Sequence, residues 1–178
     1  MLLKKAERVI KEKGISALKI KVVNRLKYKT ASLKYAYTHK LLPIEIAKQR
    51  ERKYKIPVKI SICVPVYNVD KKYFREMLES VLSQTYSNWQ LCLADGSTDE
   101  FSYIEKMVED SRIRYKKLIS NQGIVGNSNA AVELADGEYI ALLDNDDVLT
   151  PDALFEIRKA IDTGADFIYT DEASFSKN

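Results

Sequence analysis

Three carboxylates follow a continuous apolar run late in the chain, and carboxylates at this spacing can hold a divalent cation. The run covers residues 139–143, and the acids are Asp144, Asp146 and Asp147. Side chains so close repel one another, and a cation that also binds phosphate oxygens removes that repulsion. Mg²⁺ is typically held by one or two carboxylates together with substrate phosphates. The pattern therefore indicates a metal-assisted phosphate site.

Two other interpretations of these acids stay open from the local sequence. Short acidic clusters are common in turns, so residues 144–147 equally fit a solvated turn that caps the next helix. A helix-loop-helix calcium site fits less well. Counting from Asp144, the sixth position is Leu149 and the twelfth is Phe155, where such sites need glycine and glutamate.

The apolar run before the acids predicts a strand whose carboxyl end opens onto a ligand crevice. Asp136-Gly137 signals a turn before the run, and Thr150-Pro151-Asp152 signals a helix start after it. A continuous apolar run is typical of a strand buried on both faces of a parallel sheet. Because such sheets bind ligands outside the carboxyl ends of their strands, we expect Asp144 and Asp146 to face a ligand.

Strand and helix patterns alternate along the rest of the chain from residue 57. The predicted strands cover residues 58–64, 89–94, 113–119, 139–143 and 166–170, and helical spacing covers residues 73–82, 101–108, 126–135 and 151–161. This alternation predicts an α/β fold with a mostly parallel sheet and helices on both faces. The loop from Pro65 to Asn68, Asp95 and the acids after the fourth strand would then meet at one edge.

The charge divides the chain into two parts. Residues 1–55 carry 17 Lys and Arg against 4 Glu, a net charge of +13, and the remainder carries −9. We therefore predict a basic, partly helical extension over residues 1–56 and a globular domain over 57–178. The extension fits a solvated helical arm, an anionic membrane surface or a nucleic acid. No recognised nucleic-acid motif accompanies it, so no nucleic-acid partner is expected.

The composition is that of a globular protein, with 46% hydrophobic and 30% charged residues. No apolar stretch is long enough to span a membrane, and charge at Lys4 and Lys5 interrupts any signal peptide. Cys63 and Cys92 each lie inside an apolar run, which favours small buried hydrophobes over a disulfide and fits a reducing compartment. We expect a cytoplasmic protein, with membrane contact limited to the inner face.

Five blocks in order resemble the family 2 glycosyltransferases of GT-A fold, and the resemblance spans about residues 58 to 175. They are residues 60–68, 80–86, 93–99, 121–123 and 136–147, and residues 169–172 also resemble a block of bacterial polysaccharide-synthesis members. The resemblance implies a Rossmann-like GT-A domain and the transfer of sugar from a nucleotide-diphosphate donor, usually UDP-linked. The acceptor it implies is a cell-surface polysaccharide or glycolipid. A non-catalytic nucleotide-sugar-binding or membrane-recruited module is the alternative.

The resemblance also implies roles for individual residues. Asp144 and Asp146 would be the Asp-x-Asp pair that binds Mg²⁺ or Mn²⁺, and Asp95 would accept a hydrogen bond from the base. The nucleotide-binding residues it implies are Pro65, Val66, Tyr67, Asn68, Asp95, Asn121, Gly123, Asn129, Asp144 and Asn145.

The catalytic base is the least defined part of the implied site. Inverting members need a carboxylate that deprotonates the acceptor hydroxyl, and Asp171 and Glu172 are the late acids of this chain. Many members have Arg where this chain has Ser128, and a second acid where it has Ala94. The family's acceptor-binding half follows this region, so we expect a truncated domain with weak or no transfer activity of its own.

Overall fold

The computed structural model describes residues 41–98, 101 and 103–172, and Pro43–Tyr169 forms one compact unit. Residues 1–40 of the predicted basic, partly helical extension lie outside the described residues. The elements in chain order are α1 (Pro43–Glu51), β1 (Ile60–Val66), α2 (Lys71–Leu82), β2 (Trp89–Asp95), a short 3-10 helix (Glu105–Met107), β3 (Ile113–Lys117), α3 (Gly123–Val132), β4 (Tyr139–Leu142) and α4 (Ala153–Ile161).

The predicted α/β fold is confirmed. The four strands form a parallel sheet in the order β3-β2-β1-β4, so their carboxyl ends share one edge. One face of the sheet packs against α2 and α4 through large apolar side chains, among them Phe74, Met77 and Leu154. The other face packs against α3 through small side chains, which are Cys63, Cys92, Ala94, Ala130 and Ala131.

Helix α2 shows how the local sequence produces this packing. The Asp70 side chain accepts a hydrogen bond from the Lys72 N–H at 2.7 Å and so caps the first turn. Phe74, Met77, Leu78 and Val81 recur at helical spacing and are all buried, as the sequence predicted. Each such side chain contributes roughly 1.5–3 kcal/mol through the apolar surface it removes from water. Their stripe fixes α2 on the sheet.

The two cysteines are free thiols in the core, as predicted. Cys63 on β1 lies directly opposite Cys92 on β2 in the strand register, and both are buried under α3. Among the described residues, no helix is long and apolar enough to cross a lipid bilayer.

The expectation that the fourth strand is buried on both faces is wrong. Ile140 and Leu142 on β4 are 50% and 74% exposed, whereas Tyr139 and Ala141 pack on the main core. The physical reason is the position of α3, which packs over β1 and β2. In the part of the chain that the structure describes, no helix covers the second face of β4.

The strand predicted over residues 166–170 is also wrong. Phe167 and Tyr169 are 85% and 86% exposed, and the segment has no strand partner among the described residues. Ile168 alone packs on the core. Similarly, the helix predicted over 101–108 is reduced in its described part to the 3-10 turn at Glu105–Met107. Apolar composition without a neighbour to pair with does not make a strand.

Helix α1 lies within the predicted basic extension and belongs to the compact unit. Thr85 donates a hydrogen bond from its hydroxyl to the Gln49 side chain at 2.6 Å. The guanidinium of Arg52 lies over the rings of Tyr54 and Phe155, 5.2 and 5.5 Å from their centroids. The division of the chain at residue 56 stays a prediction.

A polar network at the amino edge of the sheet fixes β4 against β1. The Ser61 hydroxyl donates to the Gln90 side-chain oxygen at 2.9 Å and accepts from the Gly137 N–H at 2.9 Å. The same Gln90 oxygen accepts from the Asp136 N–H at 3.1 Å. A shift of one residue in a strand reverses every side chain. The network therefore decides which residues of β4 reach the carboxyl edge.

Gly137→Ala is expected to destabilise the fold by about 1–3 kcal/mol. A Cβ atom there would lie 2.6 Å from the Lys59 carbonyl oxygen and 2.8 Å from the Ser61 hydroxyl oxygen, so β4 would have to move. Urea unfolding followed by circular dichroism measures the loss. The control is Ser87→Ala in an exposed loop, which should change stability by less than about 0.5 kcal/mol. A wild-type midpoint for the Gly137 variant would contradict this account of the register.

Candidate functional site

The loops that follow β1, β2 and β3 are joined to one another by backbone hydrogen bonds. The Gly96 N–H donates to the Val66 carbonyl at 2.9 Å, and the Leu118 N–H donates to the Asp95 carbonyl at 2.8 Å. The carboxyl edge is therefore a continuous surface of loops. As the topology predicts, the predicted nucleotide residues on the first two loops lie side by side there.

The predicted start of the first loop is wrong, because Pro65 and Val66 are the last residues of β1 and pair with Ala94 and Asp95 of β2. The loop itself carries Tyr67 and Asn68. Asn68 has a φ of 47°, in the left-handed region that asparagine tolerates better than most residues. Its N–H donates to the Ser97 hydroxyl at 2.8 Å, and its side-chain oxygen accepts from the Thr98 N–H at 3.1 Å. Asn68 thus ties the loop after β1 to the loop after β2.

Val66 at the end of β1 and Tyr67 directly after it differ sharply in burial. Val66 is fully buried in the core, so its side chain packs the fold, and its carbonyl bonds the next loop. Tyr67 is 45% exposed. An exposed aromatic ring at a strand end is a surface on which a nucleic acid base can stack.

Asp95 is a buried carboxylate at the end of β2, only 1% exposed. One oxygen accepts from the Ser97 N–H at 2.8 Å, and the other accepts from the Tyr115 hydroxyl at 2.7 Å and the Lys117 ammonium at 3.3 Å. Burial alone would raise the pKa of Asp95. The hydrogen bonds from Ser97 and Tyr115 and the charge of Lys117 outweigh it and lower the pKa. Asp95 is therefore an ionised acceptor at neutral pH.

Tyr115 and Lys117 are functional neighbours of Asp95 that the sequence analysis missed. In the register of β2 and β3, Leu93 lies opposite Tyr115 and Asp95 opposite Lys117. Lys117 also donates to the Ser97 carbonyl at 2.5 Å. Burial, together with the bond to the Asp95 carboxylate, raises the pKa of Tyr115. The sequence feature that could have revealed both residues is the alternation along residues 113, 115 and 117, which puts these side chains on one face.

The turn after β4 presents two carboxylates on either side of an anchored residue. Asn145 is half-buried, and its amide donates to the Pro65 carbonyl at 2.9 Å. Asp144 and Asp146 are exposed. The turn ends well before α4 begins, at Ala153, so these acids do not cap that helix. The structure thus brings the Asp-x-Asp segment to the end of β1.

The donor set of this turn suits a divalent ion that is completed by substrate. No group of three or more Cys, His, Asp or Glu gathers as a metal site within residues 41–98, 101 and 103–172. Two exposed carboxylates with room for phosphate oxygens and water are a common arrangement for Mg²⁺. Asp144 and Asp146 therefore fit the predicted Mg²⁺ or Mn²⁺ site only if substrate phosphate oxygens complete the coordination of the ion.

The loop at 121–123 is held by a buried side chain. Asn121 accepts two hydrogen bonds at its side-chain oxygen, from the Gly123 N–H at 3.0 Å and from the Asn127 amide at 2.9 Å. The Asn127 oxygen in turn accepts from the Gln122 N–H at 3.0 Å. Gly123 has a φ of 72°, which glycine adopts without strain. Asn127 is 2% exposed and was missed in the sequence analysis.

The remaining predicted residues are Asn129, Asp171 and Glu172. Asn129 is exposed on α3 and lines a cavity of about 490 Å³ between α3 and the end of β3, together with Lys116, Lys117 and Gln122. Asp171 and Glu172 are exposed and fall outside the compact unit. Their role as the base stays a prediction.

Comparison with known proteins identifies the relatives of this chain. A family model described as glycosyl transferase family 2 matches residues 61–174. The chain is 39% identical to the chondroitin synthase of Pasteurella multocida over 132 residues, which is 72% of this chain and 13% of that protein. It is 35% identical over 115 residues to the Escherichia coli UDP-Glc:alpha-D-GlcNAc-diphosphoundecaprenol beta-1,3-glucosyltransferase, covering 62% of this chain and 44% of that enzyme.

A solved structure supports the same grouping. The S. aureus TarS structure in complex with UDP-GlcNAc superposes with a TM-score of 0.54 and 29% sequence identity, over 59% of this chain and 31% of that one. The chain thus spans less than half the length of each of these relatives.

Asp95→Asn tests whether the buried carboxylate contributes as an ion. The folded-state pKa of Asp95 lies below the ordinary 3.8. The ionised carboxylate therefore contributes its full stabilisation of the fold above about pH 4, and this contribution declines as the pH falls through the folded-state pKa. We expect the variant to be less stable by about 2 kcal/mol at pH 7, with the difference narrowing below about pH 4. Urea unfolding from pH 7 to pH 3 measures it.

The control for this experiment is Asp166→Asn, which removes one exposed acid and should leave the stability difference small at every pH. A stability difference for Asp95→Asn that stays constant down to pH 3 would show that folding does not lower the pKa of Asp95.

Proposed function

The chain belongs to glycosyl transferase family 2, and on that basis we propose that it binds a UDP-linked sugar at the carboxyl edge of its sheet. The sugar passes from there to a glycan or lipid-linked acceptor. The observation that carries the proposal is the convergence at one edge. A buried, ionised Asp95, the Asn68 loop and an anchored turn that exposes Asp144 and Asp146 all meet there. This chain is the glycosyltransferase domain or its donor-binding part.

The nucleotide binds between the loops after β1 and β2. A hydrogen-bond acceptor that stays ionised selects a donor N–H, which uracil has between two carbonyl groups. Asp95 is such an acceptor, since its pKa is lowered and it already accepts hydrogen bonds from neighbouring donors. Tyr67 offers an exposed ring beside it. The UDP and UDP-GlcNAc complexes of TarS support uridine as the base.

Asp144 and Asp146 hold the diphosphate end of the donor through Mg²⁺ or Mn²⁺. The ion, when bound, neutralises charge that develops on the departing diphosphate. The protein's part is to place the two carboxylates. Asn145 does this by donating to the Pro65 carbonyl, which fixes the position of the turn relative to the loop that binds the base.

The relatives point to a surface glycan as the acceptor. The matching enzymes are named for chondroitin synthesis and for transfer to a diphosphoundecaprenol-linked sugar. We propose an acceptor of the same general class, a growing polysaccharide or a lipid-linked glycan. A non-catalytic sugar-nucleotide-binding module is the alternative. Release of UDP from a panel of UDP-sugars in the presence of glycan acceptors separates the two, since the module would bind without turnover.

UDP binding by calorimetry, with and without Mn²⁺, tests the donor site. We expect Asp144→Ala combined with Asp146→Ala to weaken UDP at least tenfold in Mn²⁺, because the diphosphate loses its bridge to the protein; tenfold corresponds to about 1.4 kcal/mol. Without Mn²⁺ the two proteins should bind alike.

A matched control removes two acids elsewhere. Glu156→Ala combined with Asp166→Ala makes the same change in net charge on exposed positions of the same unit and should bind UDP as the wild type does. If folded wild-type protein failed to bind UDP, the uridine proposal would be wrong. If the Asp144 and Asp146 variant bound as tightly as the wild type in Mn²⁺, the metal proposal would be wrong.

We further propose that the basic segment 1–55 contacts anionic lipid. Its net charge is +13, and its described part exposes Lys48, Arg50, Arg52, Lys53 and Lys55. Each basic residue near an anionic membrane contributes about 1 kcal/mol. The −9 charge of the remainder would keep the rest of the surface away from the same membrane.

Co-sedimentation with vesicles tests the membrane proposal. The chain should pellet with vesicles that contain anionic phospholipid at low salt, should be released at high salt because of ionic screening, and should not pellet with neutral vesicles. Replacing Lys48, Arg50, Lys53 and Lys55 by Gln should weaken the binding. Absence of binding at low salt would remove the proposal.

A further inference from the structure

Asn127 is a buried amide on the helix face that packs against the sheet, where a small apolar residue would suffice. It is 2% exposed, and the other buried residues of α3 are Ala130 and Ala131. Burying an amide costs free energy unless its polar atoms are hydrogen-bonded. Its side-chain hydrogen bonds go to the loop at 121–123, to Asn121 and to Gln122. The structural role of this amide is therefore to hold that loop.

The hydrogen bonds fix which way both amides face. The N–H groups of Gln122 and Gly123 can only donate. The atom of Asn127 that meets Gln122 must therefore be its oxygen, and the atom of Asn121 that meets Gly123 must be its oxygen as well. Asn127 is then left with its NH₂ group facing Asn121, at 2.9 Å from the same oxygen. The two backbone donors exclude a flip of either side chain.

The consequence is that Asn121 presents a donor to its surroundings. Its oxygen is occupied by two donors from its own loop and from α3, so its NH₂ group points away from them. Asn121 is exposed, and within the described part of the chain no acceptor is bonded to that group. An exposed amide donor with a fixed direction is suited to an acceptor oxygen of a ligand.

The position of this donor is beside the proposed nucleotide site. A Cβ atom on Gly96 would lie 3.0 Å from the Asn121 Cα and 3.1 Å from the Asn127 side-chain nitrogen. Gly96 directly follows the buried carboxylate of Asp95. The loop therefore packs against the residue next to Asp95, and glycine is what permits that approach.

We propose that Asn127 is a positioning residue for the donor nucleotide. By holding the oxygen of Asn121, it directs the NH₂ group of Asn121 toward an acceptor oxygen of the nucleotide bound beside Asp95. The inference rests on the proposed UDP site and adds to it a residue that touches no ligand. It assigns to Asn127 an effect on affinity that is transmitted entirely through Asn121.

The test uses Asn127→Asp, which keeps the size of the side chain. The carboxylate still accepts from the Gln122 N–H, but it cannot donate to Asn121, and two oxygens then face each other. The repulsion displaces the Asn121 oxygen from its place beside the Gly123 N–H, so the NH₂ group loses its direction toward the ligand. Calorimetric titration of UDP in Mn²⁺ should show binding at least tenfold weaker than wild type. Asn127→Ala leaves Asn121 held by the Gly123 N–H alone and should show a smaller loss.

Gln90→Glu is the matched control for a buried acid. Gln90 is also a buried amide, 4% exposed, whose oxygen accepts from the Ser61 hydroxyl and the Asp136 N–H at the opposite end of β2. Its replacement should lower the unfolding midpoint and leave the UDP dissociation constant within twofold of wild type. Circular dichroism and thermal unfolding establish that each variant is folded at the assay temperature.

A double-mutant cycle separates positioning from a general structural effect. With Asn121→Ala in place, adding Asn127→Asp should change UDP affinity by less than twofold, because there is no amide left to direct. An equal loss in both backgrounds would overturn the inference, and so would wild-type affinity in folded Asn127→Asp. The same cycle with Asn127→Ala serves if the carboxylate prevents folding. Failure of wild-type protein to bind UDP would overturn the proposed function itself, and this inference with it.

Discussion

The site depends on the cost of burying one negative charge. Asp95 is almost inaccessible to water, and an ion in that position persists only if protein groups replace its lost hydration. Three residues supply them, since Ser97 lies on the loop after β2 and Tyr115 and Lys117 lie on the neighbouring strand. Ser97 in turn accepts from the Asn68 N–H. Satisfying a single carboxylate thus organises the loops that follow three strands.

Much of the fold was predictable because local apolar patterns indicate it. The stripe of α2 and the runs of β1 and β2 need no knowledge of distant residues. The failures at β4 and at residues 166–170 share one cause. Ile140 and Phe167 are apolar in a strand-like context, but burial requires another element to cover them, and the pattern does not say which element does so. Periodicity predicts a preference, whereas packing decides the outcome.

The residues of the candidate site likewise fall into those that the sequence predicted and those that it did not. Asp95, Asn145 and the acids beside it could be found because they occur in short motifs at strand ends. Tyr115, Lys117 and Asn127 could not, since their importance comes from the register of two strands and from one loop's shape. Each looks ordinary in the sequence. Their contribution is to orient a neighbour, and orientation is a property of the assembled structure.

The hydrogen bond between Asn145 and Pro65 restricts substitutions differently at its two ends. The acceptor is a main-chain carbonyl, which every amino acid possesses, so this bond places no demand on the side chain at position 65. The donor is a side-chain amide of one particular length, so the same bond restricts position 145 severely. To keep this contact, substitutions are therefore restricted at position 145, whereas the bond itself sets no limit on the residue at position 65.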